Sequence, residues 1–287
     1  AVVTPNIGFE LDEGYGYLEK LLDKGIRAFK IYPKSHIFEF SPVILESLAE
    51  YMTNKKIPLF VDIGEISWKS LNDVLQAFGE LDVILCGSHW GSNRNLFPLM
   101  ERYRNLYFDI SINQANDILL TCKKHFGIDR VLFGTNYPYS TMGALKSFVE
   151  YSELLEKEKN MVAHRNAMRL LNIHDVKPYS NEEYTLDEIA QTIDSGRPLR
   201  DIPVIDAHTH IVDIRHRTVN RCPIINSDSC NLIRKMDNLG IDKIMISSWE
   251  GLYSDGKSAN ETDLQAKIDY PGRVEVYAMC NPLYEED

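Results

Sequence analysis

The sequence has little of several features that would narrow its function at once. No apolar run approaches the roughly 20 residues that a membrane-spanning helix needs, and no N-terminal secretory signal is visible. The 31 Lys and Arg residues are outnumbered by 42 Asp and Glu residues. The resulting net charge of −11 argues against nucleic acid or an anionic membrane as partner. The cysteines form no C-x-x-C pair and leave an odd count, so we expect free thiols in a reducing, cytoplasmic compartment. The five cysteines are Cys86, Cys122, Cys222, Cys230 and Cys280.

Strand-like apolar runs alternate with amphipathic helical patterns along most of the chain, which predicts βα units around a parallel sheet. With 287 residues, the chain can form one large barrel or two smaller domains. A polar stretch at 174–200 interrupts the alternation, and we interpret it as a connector between segments 1–173 and 201–287. The predicted strands are residues 1–5, 26–32, 58–63, 83–87, 106–110, 131–134, 203–213, 243–247 and 274–279.

The most informative stretch is P-V-I-D-A-H-T-H-I-V-D at residues 203–213. Its β-branched residues behind a proline predict a short buried strand. Because alternate residues of a strand share a face, Asp206, His208 and His210 are expected to point the same way. Two imidazoles side by side at a strand end are a ready pair of ligands for a divalent metal. Two incidental histidines are the less favoured interpretation, given this spacing and the aspartate on the same face.

This stretch resembles the first barrel strand of the amidohydrolase superfamily, whose members carry His-x-His there. The resemblance is to the decarboxylase-like branch, and it implies an α/β fold, namely a (β/α)8 TIM barrel. It also implies a divalent metal, which we expect to be zinc, at the carboxyl ends of the strands. In that superfamily the motif opens the chain, whereas here it begins after residue 200. We therefore expect a strand order that is permuted relative to the family.

The resemblance lets the other family positions be sought strand by strand. His89, in S-H-W-G, matches the strand-six histidine and joins His208 and His210 as an implied metal ligand. Asp62, in P-L-F-V-D-I-G, stands where the family has its strand-five histidine. Asn136, in F-G-T-N-Y-P, stands where the family has its strand-eight aspartate. Asp62 and Asn136 are thus the implied catalytic positions.

The two departures differ in their consequences. A carboxylate at Asp62 can still bind a metal, with an altered preference among metals. Asn136 has no usable proton affinity near neutral pH, and loss of a general base typically costs ~10²–10⁴-fold in rate. Around these positions, Lys30, Trp90 and Tyr137 are predicted to contact substrate. A structural lysine and ordinary loop packing are the open alternatives for these three.

Residues 1–6 and 277–282 both resemble the family's third strand, which gives nine strands for a barrel that needs eight. Either the chain is a permuted barrel with one strand duplicated, or it belongs to a tandem pair of barrels. Because neither segment has enough strands alone, we expect both to contribute to a single closed barrel.

Two functions follow from these patterns. The first is a metal-dependent hydrolase or decarboxylase that acts on a small polar molecule, with impaired catalysis. The second is a non-catalytic barrel of the same fold with a structural or ligand-binding role, because fold and function are separable. A small-molecule substrate is the expected partner, and the sequence leaves a homo-oligomer open.

Overall fold

The computed structural model describes residues 1–176, 187–212, 224–253 and 255–280. By its internal contacts the chain divides into two compact units. The first unit is Ala1–Gln114 with Ile118–Tyr179, and the second is Ala115–Asp117 with Ser180–Asp287. Several predicted positions lie outside the described residues. They are Asp213, Cys222, part of the predicted connector, and residues 281–282, which end the second match to the family's third strand. The predicted segments 1–173, 174–200 and 201–287 stay a prediction.

Five parallel strands, each followed by a helix, form the sheet of the first unit. The strands are β1 (Phe29–Ile31), β2 (Leu59–Asp62), β3 (Val83–Cys86), β4 (Leu106–Asp109) and β5 (Val131–Leu132). They pair in chain order from β1 to β5. A further parallel bridge joins Val2 to Lys30, so the strand predicted at residues 1–5 is reduced to one bridge.

The helices of the first unit begin and end where the sequence provides stop and start signals. The longest has proline at its first position and ends where Lys56 adopts a left-handed φ of 55°. The next is capped by Ser67, whose side chain accepts from the Ser70 N–H. The helices are α1 (Ile7–Glu10), α2 (Tyr15–Asp23), α3 (Pro42–Lys55), α4 (Trp68–Ala77), α5 (Asn93–Arg102), α6 (Ile118–His125), α7 (Met142–Glu150), α8 (Glu156–Asn160) and α9 (Asn166–Leu170).

The two faces of this sheet differ in chemistry. One face is fully apolar, and Ile31, Val61, Leu85 and Phe108 on it are 0% exposed. Each such side chain contributes roughly 1.5–3 kcal/mol by leaving water. The other face is apolar only in its lower part, where side chains of β2–β5 pack on α9. That cluster consists of Ile84, Tyr107, Leu132 and Leu170, with Phe60, Cys86 and Ala167 packed against it. Toward the carboxyl ends of the strands the same face becomes polar.

The second unit is built on a parallel sheet of three strands in chain order. The strands are β6 (Ile205–Thr209), β7 (Lys243–Ile246) and β8 (Val274–Val276). The helices are α10 (Glu188–Asp194), α11 (Ser229–Leu239), α12 (Glu250–Tyr253) and α13 (Gly256–Asp269). Its core is small and contains Ile211, Met236, Ile244, Ile246, Ala266 and Val274.

Helix α13 is the longest element of the second unit, and the sequence pattern did not predict it. Its composition is polar, and its two large apolar side chains face outward, with Leu264 53% and Ile268 70% exposed. The buried side is made of Ala259, Asp263 and Ala266 instead. Such a helix has no apolar stripe for a periodicity argument to detect.

The structure corrects two details of the predicted strands. The motif strand β6 is not buried, since Ile205 is 62% exposed, because β6 is an edge strand of the three-stranded sheet. Strand β5 ends at Leu132 rather than Gly134, because the Phe133 N–H donates to the Val162 carbonyl at 3.1 Å and not to a strand.

Both sheets are wholly parallel and helices separate their strands, which confirms the α/β class. A single closed barrel with permuted strand order stays a prediction. No helix within the described ranges is long and apolar enough to cross a bilayer.

Two glycines of the second unit provide a matched test of its packing. Gly240 (φ 79°) and Gly272 (φ 81°) share a left-handed backbone, but a Cβ on Gly240 would lie 2.0 Å from the Leu199 carbonyl oxygen. A Cβ on Gly272 meets nothing within 4 Å. We expect Gly272→Ala to cost ~1–2 kcal/mol from backbone strain alone, and Gly240→Ala clearly more. Urea unfolding of both variants measures the difference, and equal losses would contradict the described packing.

Candidate active site

The two motif histidines lie together at the end of β6. The rings of His208 and His210 have centroids 5.0 Å apart and meet edge to face at 88°. This confirms that the two side chains share a face of the strand. Asp206 has a local role, because its carboxylate accepts from the His208 backbone N–H at 3.0 Å. The pair is therefore prearranged by the strand itself.

His210 is oriented by the neighbouring strand. Its Nδ1 lies 2.9 Å from the Ser247 carbonyl oxygen, directly after β7. Because a carbonyl only accepts, Nδ1 is the donor in this contact, and in a neutral ring Nε2 then has the lone pair; the Ser247 hydroxyl oxygen lies 3.3 Å from the same Nδ1. The Trp249 ring packs against the imidazole with its centroid 5.0 Å away. A histidine whose outer nitrogen donates to a carbonyl is the usual arrangement of a metal ligand.

The segment that orients His210 is anchored to α13. The Ser248 N–H and hydroxyl both donate to the Asp263 carboxylate, at 2.8 and 2.7 Å. Ser248 and Asp263 are completely buried. Burial raises the pKa of the Asp263 carboxyl, although the two bonds from Ser248 oppose this rise. The buried Asp263 thus fixes the β7 end on which His210 depends.

In the first unit, the last residues of three adjacent strands form a polar row. Strand register pairs Asp62 with Cys86, and Asp109 follows Phe108, which pairs with Leu85. All three side chains are half-buried and lie on the sheet face that becomes polar. We call Asp62, Cys86 and Asp109 the polar row. Cys86 is one of the expected free thiols, and Asp109 is a site residue that the sequence analysis missed, although F-D-I-S at Asp109 repeats the V-D-I-G pattern at Asp62.

The carboxylates of the polar row are held by close backbone contacts. Asp62 accepts from the Gly64 N–H at 2.8 Å. A Cβ on Gly87 would lie only 2.6 Å from an Asp62 carboxylate oxygen, so glycine is needed there. Gly87 also has a φ of 71°, a backbone angle that residues with a side chain rarely adopt. The loop after β3 therefore closes tightly over the Asp62 carboxylate.

Lys30 places a positive charge beside the polar row. Burial lowers the pKa of the Lys30 amine, but contacts with Cys86, Tyr32 and Asp62 outweigh burial and the net pKa is raised. Its Nζ lies 5.0 Å from the centroid of the Tyr32 ring. Lys30 is thus a charged, half-buried lysine in the middle of the short strand β1.

His89 and Trp90 lie in the loop after β3. His89 is exposed, and its Nδ1 accepts from the Gly91 N–H at 3.1 Å. A neutral imidazole that accepts at Nδ1 carries its proton on Nε2, so His89 presents a donor to solvent in this arrangement. Trp90 packs edge-on against His89 and is 43% exposed.

Asn136 and Tyr137 lie in the turn after β5. Asn136 is half-buried and has a φ of 52°, four residues beyond the end of β5. Its backbone carbonyl accepts from the Tyr139 and Ser140 N–H groups. Tyr137 is 68% exposed. Tyr137 is therefore largely open to solvent, whereas Asn136 is partly covered.

Across the described parts of both units, no group of three or more His, Cys, Asp or Glu side chains could hold a metal ion. The His208–His210 pair fits a divalent metal in donor type and in the lone pair left on His210. Two ligands are fewer than the three that catalytic zinc sites take from protein. The pair therefore supplies part of a ligand set.

A model of the family described as Amidohydrolase matches residues 10–173, more than half of the chain. The chain belongs to the amidohydrolase family. This confirms the resemblance on which the sequence positions were assigned. A comparison with curated protein sequences found no match.

This chain is similar in fold to two solved structures. An uncharacterised TIM-barrel protein from Bordetella bronchiseptica is 21% identical with a TM-score of 0.50, over 59% of this chain and 63% of that one. The 5-carboxyvanillate decarboxylase of Sphingomonas paucimobilis is 15% identical with a TM-score of 0.51, over 61% and 66%. This chain thus spans less than two thirds of each relative. At these identities the likeness concerns the fold alone.

The thiols give a direct test of the polar row. Burial, followed by the nearby Asp109 carboxylate, raises the pKa of the Cys86 thiol, and burial raises the pKa of Cys122 to about 12. Alkylation requires the thiolate, so at pH 8 we expect exposed Cys230 and Cys280 to react with iodoacetamide well before these two. Peptide mass spectrometry over time resolves the sites. Labelling of Cys86 as fast as Cys230 would contradict its described surroundings.

Proposed function

We propose that this amidohydrolase is a metal-dependent enzyme that hydrolyses or decarboxylates a small polar molecule. The observation that carries the proposal is the His208–His210 pair, with rings 5.0 Å apart and His210 Nδ1 fixed by the Ser247 carbonyl. A histidine whose Nδ1 is held by a carbonyl in this way has its other ring nitrogen directed to a metal in known metal sites. Family membership supports the same chemistry.

The metal we propose is zinc, because imidazole nitrogen suits it better than magnesium or calcium. His208 and His210 would hold it, and His89 is the further ligand that the family pattern implies. His89 would first have to give up the hydrogen bond that its Nδ1 accepts from Gly91. A bound divalent metal would supply a Lewis acid that polarises a substrate oxygen.

The residues of the first unit have roles of their own in this proposal. Lys30 would bind a substrate oxygen, and Asp62 would hold or accept a proton at its carboxylate. Asp62 is suited to this because Gly64 and Gly87 fix its side chain. Trp90 and Tyr137, both exposed on loops that follow strands, would contact the substrate.

We further propose a permuted family order, in which β6 and β7 correspond to the first two family strands and β1–β5 to the fourth to eighth. The strand count supports this, since the two sheets have five and three strands and a family barrel has eight. The tandem alternative explains the two third-strand matches equally well. The free thiols at Cys86, Cys122, Cys230 and Cys280 support a cytoplasmic location.

A specific set of observations favours the second function, a non-catalytic barrel. Asn136 replaces a carboxylate, Asp62 replaces a histidine, and His89 uses the lone pair of its Nδ1 on Gly91. A protein that binds a ligand without turning it over would tolerate all three. Metal content and turnover distinguish the two functions.

The first test is metal binding. Purified without chelator, the protein should contain about one zinc per chain by elemental analysis, and His208→Ala and His210→Ala should each lower its affinity by ~10-fold or more, because each removes a ligand. His174→Ala is the matched control, since His174 is exposed and far from the motif in sequence. Absence of stoichiometric metal, or equal loss in all three variants, would favour the non-catalytic barrel.

The second test restores the family carboxylate. Asn136→Asp should raise metal affinity, because it returns a carboxylate to the family position, and it should raise hydrolytic turnover if no other group of the unmodified protein supplies the base. The backbone permits the exchange, since asparagine and aspartate both tolerate φ near +50°. Asn172→Asp, at φ 50°, is the control for a left-handed aspartate elsewhere in the same unit. Turnover is measured on a panel of small amides, lactones and carboxylates, and substantial, unchanged turnover would mean that another group already supplies the base.

A further inference from the structure

Asp109 is the carboxylate that lies nearest in the sheet to β5, the strand that precedes Asn136. It is the last residue of β4, and it pairs in register with Leu132, the last residue of β5. Its side chain is half-buried on the polar face of the sheet, in the polar row with Cys86 and Asp62. Neighbouring strands lie about 4.8 Å apart, so this position is one strand from the β5 end.

The Asp109 side chain also reaches the segment that carries Asn136. A Cβ built on Gly134 would lie 3.2 Å from Asp109 Cγ and 3.3 Å from its Oδ1. Gly134 is the glycine of F-G-T-N, two residues before Asn136. The backbone of this turn therefore passes close to the Asp109 carboxylate, and a side chain at Gly134 would require Asp109 to move by a few tenths of an ångström.

The carboxylate is held in one orientation but is not saturated. The Ser111 N–H donates to Oδ1 at 2.9 Å, and the Ser111 hydroxyl donates to the same oxygen. The Asp109 carboxylate is also one cause of the raised pKa of the Cys86 thiol. A carboxylate accepts about four hydrogen bonds, so the two that Ser111 donates to Oδ1 leave acceptor positions, including those of Oδ2. Ser111 thus holds a side chain that can still accept a proton.

We propose that Asp109 is the proton acceptor of this site, in the role that the family gives to the strand-eight carboxylate and that Asn136 cannot perform. The inference rests on the proposed function in its hydrolytic form. The charged and titratable groups that share its face of the sheet are Cys86, Asp62, Lys30 and Tyr107. Of the two carboxylates, it is Asp62 that interacts with the Lys30 charge.

The proposed step can be written for an amide substrate. One O–H bond of water breaks as its oxygen bonds to the carbonyl carbon, and the proton goes to Asp109. The C–N bond then breaks, and the leaving nitrogen takes the proton back from Asp109. The products are a carboxylic acid and an amine, and the Asp109 carboxylate is restored.

The test exchanges carboxylates between the two positions. Asp109→Asn should lower kcat by ~10²–10⁴-fold with a small change in KM. The double variant Asp109→Asn with Asn136→Asp should recover most of that loss, because it returns a carboxylate to the family position. Ser111→Ala should cause a smaller loss, since it only loosens the side chain. Asp12→Asn, at an exposed aspartate of the same unit, is the matched control.

A second measurement does not depend on turnover. Loss of the charge at Asp109 removes one cause of the raised Cys86 pKa, so iodoacetamide should label Cys86 faster in Asp109→Asn than in the unmodified protein at one pH. Thermal unfolding and circular dichroism of each variant check that the fold is retained.

The outcomes separate the inference from the proposed function. An active protein whose Asp109→Asn variant keeps full turnover overturns the inference and leaves the proposed function standing. Lost turnover that Asn136→Asp does not rescue, with unchanged Cys86 labelling, also overturns it, because the loss is then not tied to the carboxylate. An unmodified protein with no turnover on any substrate of the panel overturns both.

Discussion

The parallel alignment of the strands is the constraint on which both units depend. In a parallel sheet every strand ends at the same edge, so residues that share a register at strand ends become neighbours. Asp62, Cys86 and Asp109 meet in this way at the ends of β2, β3 and β4. In the second unit, Thr209 pairs with Ile246, and the next residues, His210 and Ser247, are joined by a hydrogen bond. The chemistry of each unit is thus positioned by backbone pairing before any side chain contributes.

The donor chemistry of the two units differs. Imidazoles dominate at the end of β6, whereas β1 carries a lysine and the ends of β2–β4 carry two carboxylates and a thiol. Imidazoles suit zinc and other borderline metals, and carboxylates suit proton transfer or harder cations. Asp263 is buried behind Ser248, so its carboxylate holds the β7 end through hydrogen bonds and does not reach solvent.

The sequence predicted the parallel α/β class and the shared face of His208 and His210, because both follow from periodicity alone. Burial of Ile205 was wrongly predicted, since exposure depends on which strands stand beside β6, and composition carries no such information. The proton position on His89 could not be predicted either, because one backbone contact with Gly91 decides it. Asp109 was within reach of the sequence, as the repeated D-I pattern shows.

Helix α13 buries small and charged residues and exposes its large apolar ones, and this has a consequence for engineering the second unit. Its packed side consists of two alanines and a buried aspartate, so the space between helix and sheet is set by methyl groups. Larger residues at Ala259 or Ala266 would force the helix away from the sheet. Its outward side carries Leu264 and Ile268 one turn apart, where charged residues would improve solubility without touching the core. The residues of α13 that look most hydrophobic are therefore the ones that can be exchanged most freely.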